Sequence, residues 1–157
     1  MLNVESFKDT LTQVTARVLE DWAMMLVEPA DSVPEIFGDN DRCFCSSIRY
    51  RGVFNGVYSI VCPPGFLEVL ASNVLGSEDE IEDDDRLDAL REMANVLCGN
   101  LLTEMYGEDP VFDVVMPRIR ELPSSEIGEF FSERTICFLA DDEPIAITYS
   151  MEASDAD

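Results

Sequence analysis

The segment Leu87–Tyr106 constrains the fold more than any other part of the sequence. Its apolar residues recur every three or four positions, which is the repeat of one buried helix face. These residues are Leu87, Leu90, Ala94, Leu97, Cys98, Leu101 and Met105. Gly107 and then Pro110 follow, and both residue types end helices. A long helix with one apolar side needs a broad apolar surface, and we expect a β-sheet to provide it.

The rest of the chain alternates between helical and strand-like patterns. Asn3–Val27 repeats like a helix, a connection framed by Pro29 and Pro34 is predicted to be irregular, and a shorter helix is predicted from Pro64 to Gly76. The strand-like runs are Cys43–Arg51, Phe54–Cys62, Val111–Ile119, Arg134–Ala140 and Pro144–Met151. The first two runs and the last two each predict a hairpin, the latter through the connection 141–143.

Each half of the chain therefore has a long helix followed by strands, although no repeat exists at the level of residues. This order predicts an α+β or layered α/β fold, with a mainly antiparallel sheet and long helices packed on it. We expect one domain over residues 1–151 and an acidic tail over residues 152–157.

The charge balance limits the classes of partner. The chain has 33 acidic and 10 basic residues, for a net charge of −23. Such a surface repels nucleic-acid phosphates and anionic membranes and favours partners with basic surfaces. Selection for solubility explains the same composition equally well. No signal peptide and no apolar run of membrane-spanning length are found, so we expect a cytoplasmic protein.

The five cysteines predict free thiols rather than disulfides or a metal site. Their number is odd and their spacing is irregular. Cys43 and Cys45 would share one face of a strand, but the chain has no histidine and no second cysteine pair to complete a zinc site. Glu78–Asp85, with seven acidic residues in eight, is interpreted as a solvated loop before the long helix.

The polar side of the long helix carries the one pattern that suggests chemistry. Asp88, Glu92, Asn95 and Gly99 are spaced by four, three and four residues, which stacks them in one row. An exposed Glu and Asn are usually no more than a solvated helix face. Asparagine and glycine, however, both disfavour the middle of a helix, and two such residues in one row suggest a site.

The run Asp88-Ala-Leu-Arg-Glu92-Met-Ala-Asn95-Val-Leu-Cys-Gly99 resembles the signature of the CheC/CheX/FliY chemotaxis phosphatases. That signature is Asp or Ser, three residues, Glu, two residues, Asn, and a Gly one turn later. The run from Val111 to Pro117 is similar to the strand that follows the signature helix in this family. On the first helix, Asp9, Gln13 and Ala16 stand at the corresponding positions without the Glu and Asn. The single signature resembles the CheX branch, which has one site per chain.

The resemblance implies a phosphatase that accelerates hydrolysis of the aspartyl phosphate of a CheY-like response regulator. It implies that Asn95 orients the attacking water, that Glu92 pairs with the receiver's active-site lysine, and that Asp88 and Gly99 support them. The Mg²⁺ would belong to the receiver, so the chain would need no cofactor of its own. The resemblance also implies a homodimer that forms through sheet edges.

Two alternatives from other classes stay open at this point. The chain would be a non-catalytic adaptor if it kept the fold only to bind a response regulator or the flagellar switch. It would be an acidic decoy if its charge served to sequester a basic protein. The presence of both Glu92 and Asn95 at the signature spacing favours the phosphatase over the adaptor.

Overall fold

In the computed structural model, one six-stranded antiparallel sheet organises the described residues, which are 4–30, 42–52, 54–75, 82–108, 111–123, 126 and 135–153. The helices are α1 (Val4–Ala23), α2 (Pro64–Leu75) and α3 (Asp83–Tyr106). The strands are β1 (Val27–Pro29), β2 (Arg42–Arg51), β3 (Phe54–Cys62), β4 (Asp113–Pro123), β5 (Thr135–Ala140) and β6 (Glu143–Ala153). Their order in the sheet is β1-β5-β6-β3-β2-β4. The predicted α+β fold with helices on an antiparallel sheet is confirmed.

Two hairpins form the centre of the sheet, as the sequence predicts. β2 pairs with β3, and β5 pairs with β6, each antiparallel. Asp141 and Asp142 form the β5–β6 turn with φ angles of 48° and 67°. Positive φ at both turn residues gives a twist that matches the flanking strands, and aspartate tolerates this conformation better than most residues do.

The three helices pack on the same face of the sheet. The core between them includes Ile48 and Tyr50 of β2, Tyr58 and Ile60 of β3, and Leu97 of α3, all nearly inaccessible to solvent. At the end of α3, Tyr106 stacks on Phe54 with a centroid distance of 4.9 Å and contacts Phe112 at 5.3 Å. These rings attach the C-terminal turn of α3 to the sheet.

Several element boundaries differ from the prediction. α1 ends at Ala23, because Met24 adopts a φ of 56° that a helix does not accept. α3 begins at Asp83, inside the stretch interpreted as a loop; residues 76–81 lie outside the described part of the chain. β1 begins at Val27, the last residue of the predicted first helix, and ends at Pro29, where the irregular connection was predicted to begin.

The last two boundary changes concern strands. β4 runs from Asp113 to Pro123, later at both ends than the predicted strand. β6 pairs with β3 through Ala153, two residues into the segment assigned to the tail, and residues 154–157 are not among the described residues.

A second apolar cluster lies on the sheet face opposite the helices. Its members are Cys43, Cys45, Val61, Leu122, Cys137 and Ala146. All five cysteines are buried and free. Burial raises the pKa of the Cys43 thiol to about 11 and those of Cys98 and Cys137 to about 12. These thiols are therefore protonated and unreactive at neutral pH.

This burial predicts a loss of stability in alkali. In the unfolded chain the thiols titrate near pH 9, whereas in the folded chain they hold their protons to higher pH. The stabilisation is complete below pH 9 and is lost as the pH rises toward the folded pKa values. The free energy of unfolding falls by up to about 1.4 kcal/mol per pH unit for each thiol that ionises only when unfolded.

Urea denaturation of the protein at pH 8 and pH 10 measures this effect. The fall should be shallower in Cys98→Ala than in the wild type, because one such thiol is gone. Equal pH dependence in the two proteins would contradict the assignment.

Candidate functional site

Helix α3 is fixed at both ends by local interactions. At the N-terminus, the backbone N–H of Glu82 donates to Oδ2 of Asp85 at 3.1 Å, one half of a capping box. The carboxylates of Asp83, Asp84 and Asp85 lie in the first turn, where the helix dipole favours negative charge. At the C-terminus, Gly107 has a φ of 83°, and its N–H donates to the carbonyl of Thr103 at 2.8 Å.

An ion-pair cluster joins the start of α3 to α2. Arg86 donates to Glu68 at 2.7 Å and to Asp83 at 2.8 Å. The Arg86 guanidinium lowers the pKa of Glu68. The three residues of this cluster help to line a groove of about 280 Å³ between α2, α3, β2 and β4, and neither Glu92 nor Asn95 lines it.

One side of α3 is buried in the core. The buried residues are Ala89, Leu90, Met93, Ala94, Leu97, Cys98, Leu101 and Leu102. Five of them belong to the predicted apolar face, whereas Leu87 and Met105 are only partly buried at its margins. Ala94 has no exposed surface, so its methyl group lies toward the core and not beside Asn95 on the outside.

The four residues of the signature lie on the opposite side of α3. Asp88, Glu92 and Gly99 are exposed and Asn95 is partly buried. Within the described part of the chain, neither the Glu92 carboxylate nor the Asn95 amide has a hydrogen-bond or ion-pair partner. The two side chains are one helical turn apart and both are available to an external ligand.

Two nearby polar side chains are engaged within the helix. Asp88 accepts a hydrogen bond from Arg91 at 2.7 Å, and Asn100 donates from Nδ2 to the carbonyl of Val96 at 2.8 Å. The Asp88–Arg91 pair was not predicted, although its spacing of three residues on a helix indicates it. The pair leaves Glu92 and Asn95 as the two unengaged members of the row.

Gly99 of α3 has no packing role among the described residues. A methyl group added at its Cα would meet no atom within 4 Å, apart from its own neighbours along the helix. Glycine in mid-helix costs about 1 kcal/mol relative to alanine. The packing of the described residues therefore does not explain this glycine.

The corresponding face of α1 carries no equivalent site. Asp9 and Gln13 are exposed and Ala16 is partly buried. Arg17 of α1 lies 3.7 Å from Glu104 of α3, so the two helices run side by side. Where α3 has Glu92 and Asn95, α1 has Gln13 and Ala16, so it has no carboxylate at the first position and no amide at the second.

The described residues contain no cluster of three or more His, Cys, Asp or Glu side chains that could hold a metal ion. None of the described helices is both long enough and apolar enough to cross a membrane. The candidate site is a helix surface on which one carboxylate and one amide have no partner among the described residues.

Comparison with protein families shows which family this chain belongs to. The family model described as "Chemotaxis phosphatase CheX" matches residues 44–127, which is more than half of the chain and includes all four signature residues. The chain belongs to the CheX family. A comparison with curated proteins found no match.

Solved structures of CheX proteins share the fold. Chemotaxis protein CheX from Vibrio vulnificus superposes with a TM-score of 0.69 at 17% identity, covering 97% of this chain and 100% of its own. CheX from Desulfovibrio desulfuricans has a TM-score of 0.69 at 15% identity, with coverages of 93% and 99%. A CheX–CheY–BeF3–Mg²⁺ complex from Borrelia burgdorferi has a TM-score of 0.63 at 15% identity, with coverages of 93% and 97%. At these identities the likeness establishes the fold.

Proposed function

We propose that this CheX-family chain is a phosphatase for the aspartyl phosphate of a CheY-like response regulator. The observation that carries the proposal is the pair of unengaged side chains, Glu92 and Asn95, one turn apart on a rigidly packed helix. Family membership supports the reaction class, and the CheX–CheY complex from Borrelia burgdorferi supports the kind of partner.

The reaction needs little chemistry from this chain. A water oxygen attacks the phosphorus, the bond between phosphorus and the aspartyl oxygen breaks, and inorganic phosphate and the free aspartate carboxylate are released. The attacking water passes a proton to the phosphate or to solvent. The carboxylate is a good leaving group, so placement of the water and support of the charge on the phosphoryl group decide the rate.

Asn95 suits the placement of that water. Its amide can accept a hydrogen bond from the water and donate another to a phosphoryl oxygen. The half-buried position limits the rotamers of the side chain, so less entropy is lost when the water binds.

Glu92 provides the docking contact. Its exposed carboxylate would pair with the lysine of the receiver's active site and set the distance between Asn95 and the phosphorus. The Mg²⁺ would lie in the receiver's acidic pocket, as the composition of the Borrelia complex suggests by analogy. Asp88, held by Arg91, would order the helix surface beside these two residues.

The proposal is tested with a phosphorylated CheY-like receiver in Mg²⁺ buffer. Phosphate release is measured with and without the protein, over a range of protein concentrations. Catalytic acceleration supports the proposal. Binding to several receivers without any acceleration would contradict it and would favour the adaptor.

The variant Gly99→Ala distinguishes the effect of this position on stability from its effect on phosphatase activity. We expect the free energy of unfolding to rise by about 1 kcal/mol, because alanine favours the helix and the methyl group meets no neighbour. We expect phosphatase activity to fall, because that methyl group occupies space that the receiver would use. Urea denaturation and phosphate release measure the two effects. A stabilised variant with full activity would show that Gly99 has no part in docking.

We propose further that the protein forms a homodimer through a sheet edge. Among the described strands, β1 and β4 are the outer two, each paired on one side only. β4, the longer one, offers eleven residues for pairing with a second copy. Sedimentation equilibrium tests this, and a monomer at all concentrations would contradict it.

A further inference from the structure

Four arginines lie together on the sheet face opposite the helices. Side chains alternate along β2, and because Ile48 and Tyr50 lie in the helix-side core, Arg49 and Arg51 are on the outer face. On β4, Arg118 and Arg120 pair with Ser47 and Cys45 of β2 and so share this face. A register shift between Ser47 and Arg49 makes Val115 of β4 the partner of Arg49. Val115 therefore lies on the same face of the sheet as the arginines.

These arginines line a groove of about 660 Å³. Its other lining residues are Ser47, Val57, Val115 and Ile119. All four arginines are exposed, and Val115 has 48% of its surface exposed. The groove thus combines positive charge with apolar walls, on a chain whose net charge is −23.

The groove arginines differ from the others in their partners. The described arginines elsewhere are each paired with a carboxylate: Arg17, Arg42, Arg86 and Arg91. Within the described part of the chain, Arg49, Arg51 and Arg118 have no such partner. Asp113 lies opposite Arg51 in the ladder, but the two side chains form no ion pair.

Arg120, the fourth arginine of the groove, lies beside Cys45 of the buried apolar cluster. Burial raises the pKa of the Cys45 thiol, and the side chains of Ser47 and Arg120 partly offset that rise. Acidic residues outnumber basic ones by more than three to one, so this composition would not by chance leave Arg49, Arg51 and Arg118 together without a carboxylate partner among the described residues.

We propose that the groove is a docking site for an acidic, extended segment of a partner protein. Guanidinium groups bind carboxylates in a two-pronged geometry, which makes arginine well suited to this role. Arg49 and Arg51, like Arg118 and Arg120, are two residues apart on a strand and therefore about 7 Å apart. An extended segment repeats its side chains at the same spacing, with acidic residues toward the arginines and apolar ones toward Val57 and Val115.

The charge of the chain disfavours the other candidate ligands of the groove. A nucleic acid or an anionic membrane presents a wide anionic surface, which the acidic remainder of this chain repels. A second copy docked symmetrically through this face would bring two sets of arginines together. A narrow acidic segment contacts the groove alone, so fewer of its charges lie beside the acidic remainder of the chain than for a wide anionic surface.

The groove and the phosphatase site are on opposite faces of the sheet. Helix α3 packs on the face that holds Ile48 and Tyr50, and the arginines are on the other face. A segment in the groove therefore leaves Glu92 and Asn95 accessible. The docking proposal is independent of the phosphatase proposal, because its test uses no receiver and no phosphate release.

The test uses a short fluorescein-labelled peptide in which glutamate and valine alternate. Fluorescence anisotropy at low salt measures its binding to the wild type and to the double variant Arg49→Gln, Arg118→Gln. The matched control is Arg17→Gln, Arg42→Gln, which changes the net charge equally outside the groove. We expect the affinity to fall roughly tenfold or more in the groove variant and to stay unchanged in the control.

Three results would overturn the proposal. The first is equal binding by the groove variant and the wild type. The second is equal binding of a peptide with glutamine in place of glutamate, which would remove the role of charge. The third is a change in sedimentation of the groove variant without peptide, which would show that the arginines serve an interface between two copies, on this face or at the β4 edge. The groove would be assigned to nucleic acid if a single-stranded oligonucleotide bound the wild type more tightly than the peptide does and if the groove variant lost that binding.

Discussion

Asn95→Ala is expected to slow receiver dephosphorylation by roughly 100-fold or more, because the attacking water loses the group that holds it in line with the phosphorus. Receiver binding should change little, since Glu92 and the surrounding helix surface remain. The side chain is only partly buried and has no partner within the described part of the chain, so its removal should leave the fold intact. Phosphate release and receiver affinity are measured on the same samples.

Asn100→Ala is the matched control. Asn100 is on the same helix and is also partly buried, but its amide donates to the Val96 carbonyl. Its loss should leave the phosphatase rate near the wild-type value. Equal losses in the two variants would mean that the effect comes from the helix and not from a positioned amide, and the water-orienting role of Asn95 would have to be abandoned.

Glu92→Lys is expected to lower kcat/KM for the phosphorylated receiver by roughly 100-fold, because an attractive contact with the receiver's lysine becomes repulsion between like charges. Circular dichroism should show an unchanged fold, since Glu92 is exposed.

Glu104→Lys serves as the comparison for Glu92→Lys. It makes the same change in net charge on the same helix, more than three turns away. Glu104 is exposed and 3.7 Å from Arg17, and exposed pairs of this kind contribute little to stability. An equal fall in kcat/KM for both variants would mean that the change in net charge causes the loss through long-range electrostatics. It would exclude a specific contact between Glu92 and the receiver.

The structural features that depend on residues close together in the sequence were predicted. The two faces of α3 follow from its periodicity, so the exposure of Glu92 and the burial of Leu97 were predictable from the sequence alone. The start of α3 was misplaced because consecutive acidic residues were interpreted as a loop. In the structure, Asp83–Asp85 form the first turn, and the Glu82–Asp85 hydrogen bond together with the helix dipole stabilises it there.

The features that were not predicted depend on strand pairing between segments far apart in the sequence. The three residues of β1 form a strand only because β5, more than a hundred residues later, pairs with them. The arginine groove likewise requires the register between β2 and β4, including the irregularity that aligns Arg49 with Val115. A shift of one residue in either strand would turn side chains to the opposite face, and no local pattern fixes that register.

The placement of Glu92 and Asn95 on a single helix has a consequence for how sites arise and disappear in evolution. Their relative position is set by three residues of helical backbone, not by the meeting of distant segments. A helix that already packs beside α3, such as α1, needs only a carboxylate at position 13 and an amide at position 16 to present the same pair. Sites of this kind are gained or lost by one or two substitutions while the fold stays the same, so the number of sites per chain can change faster than the architecture that carries them.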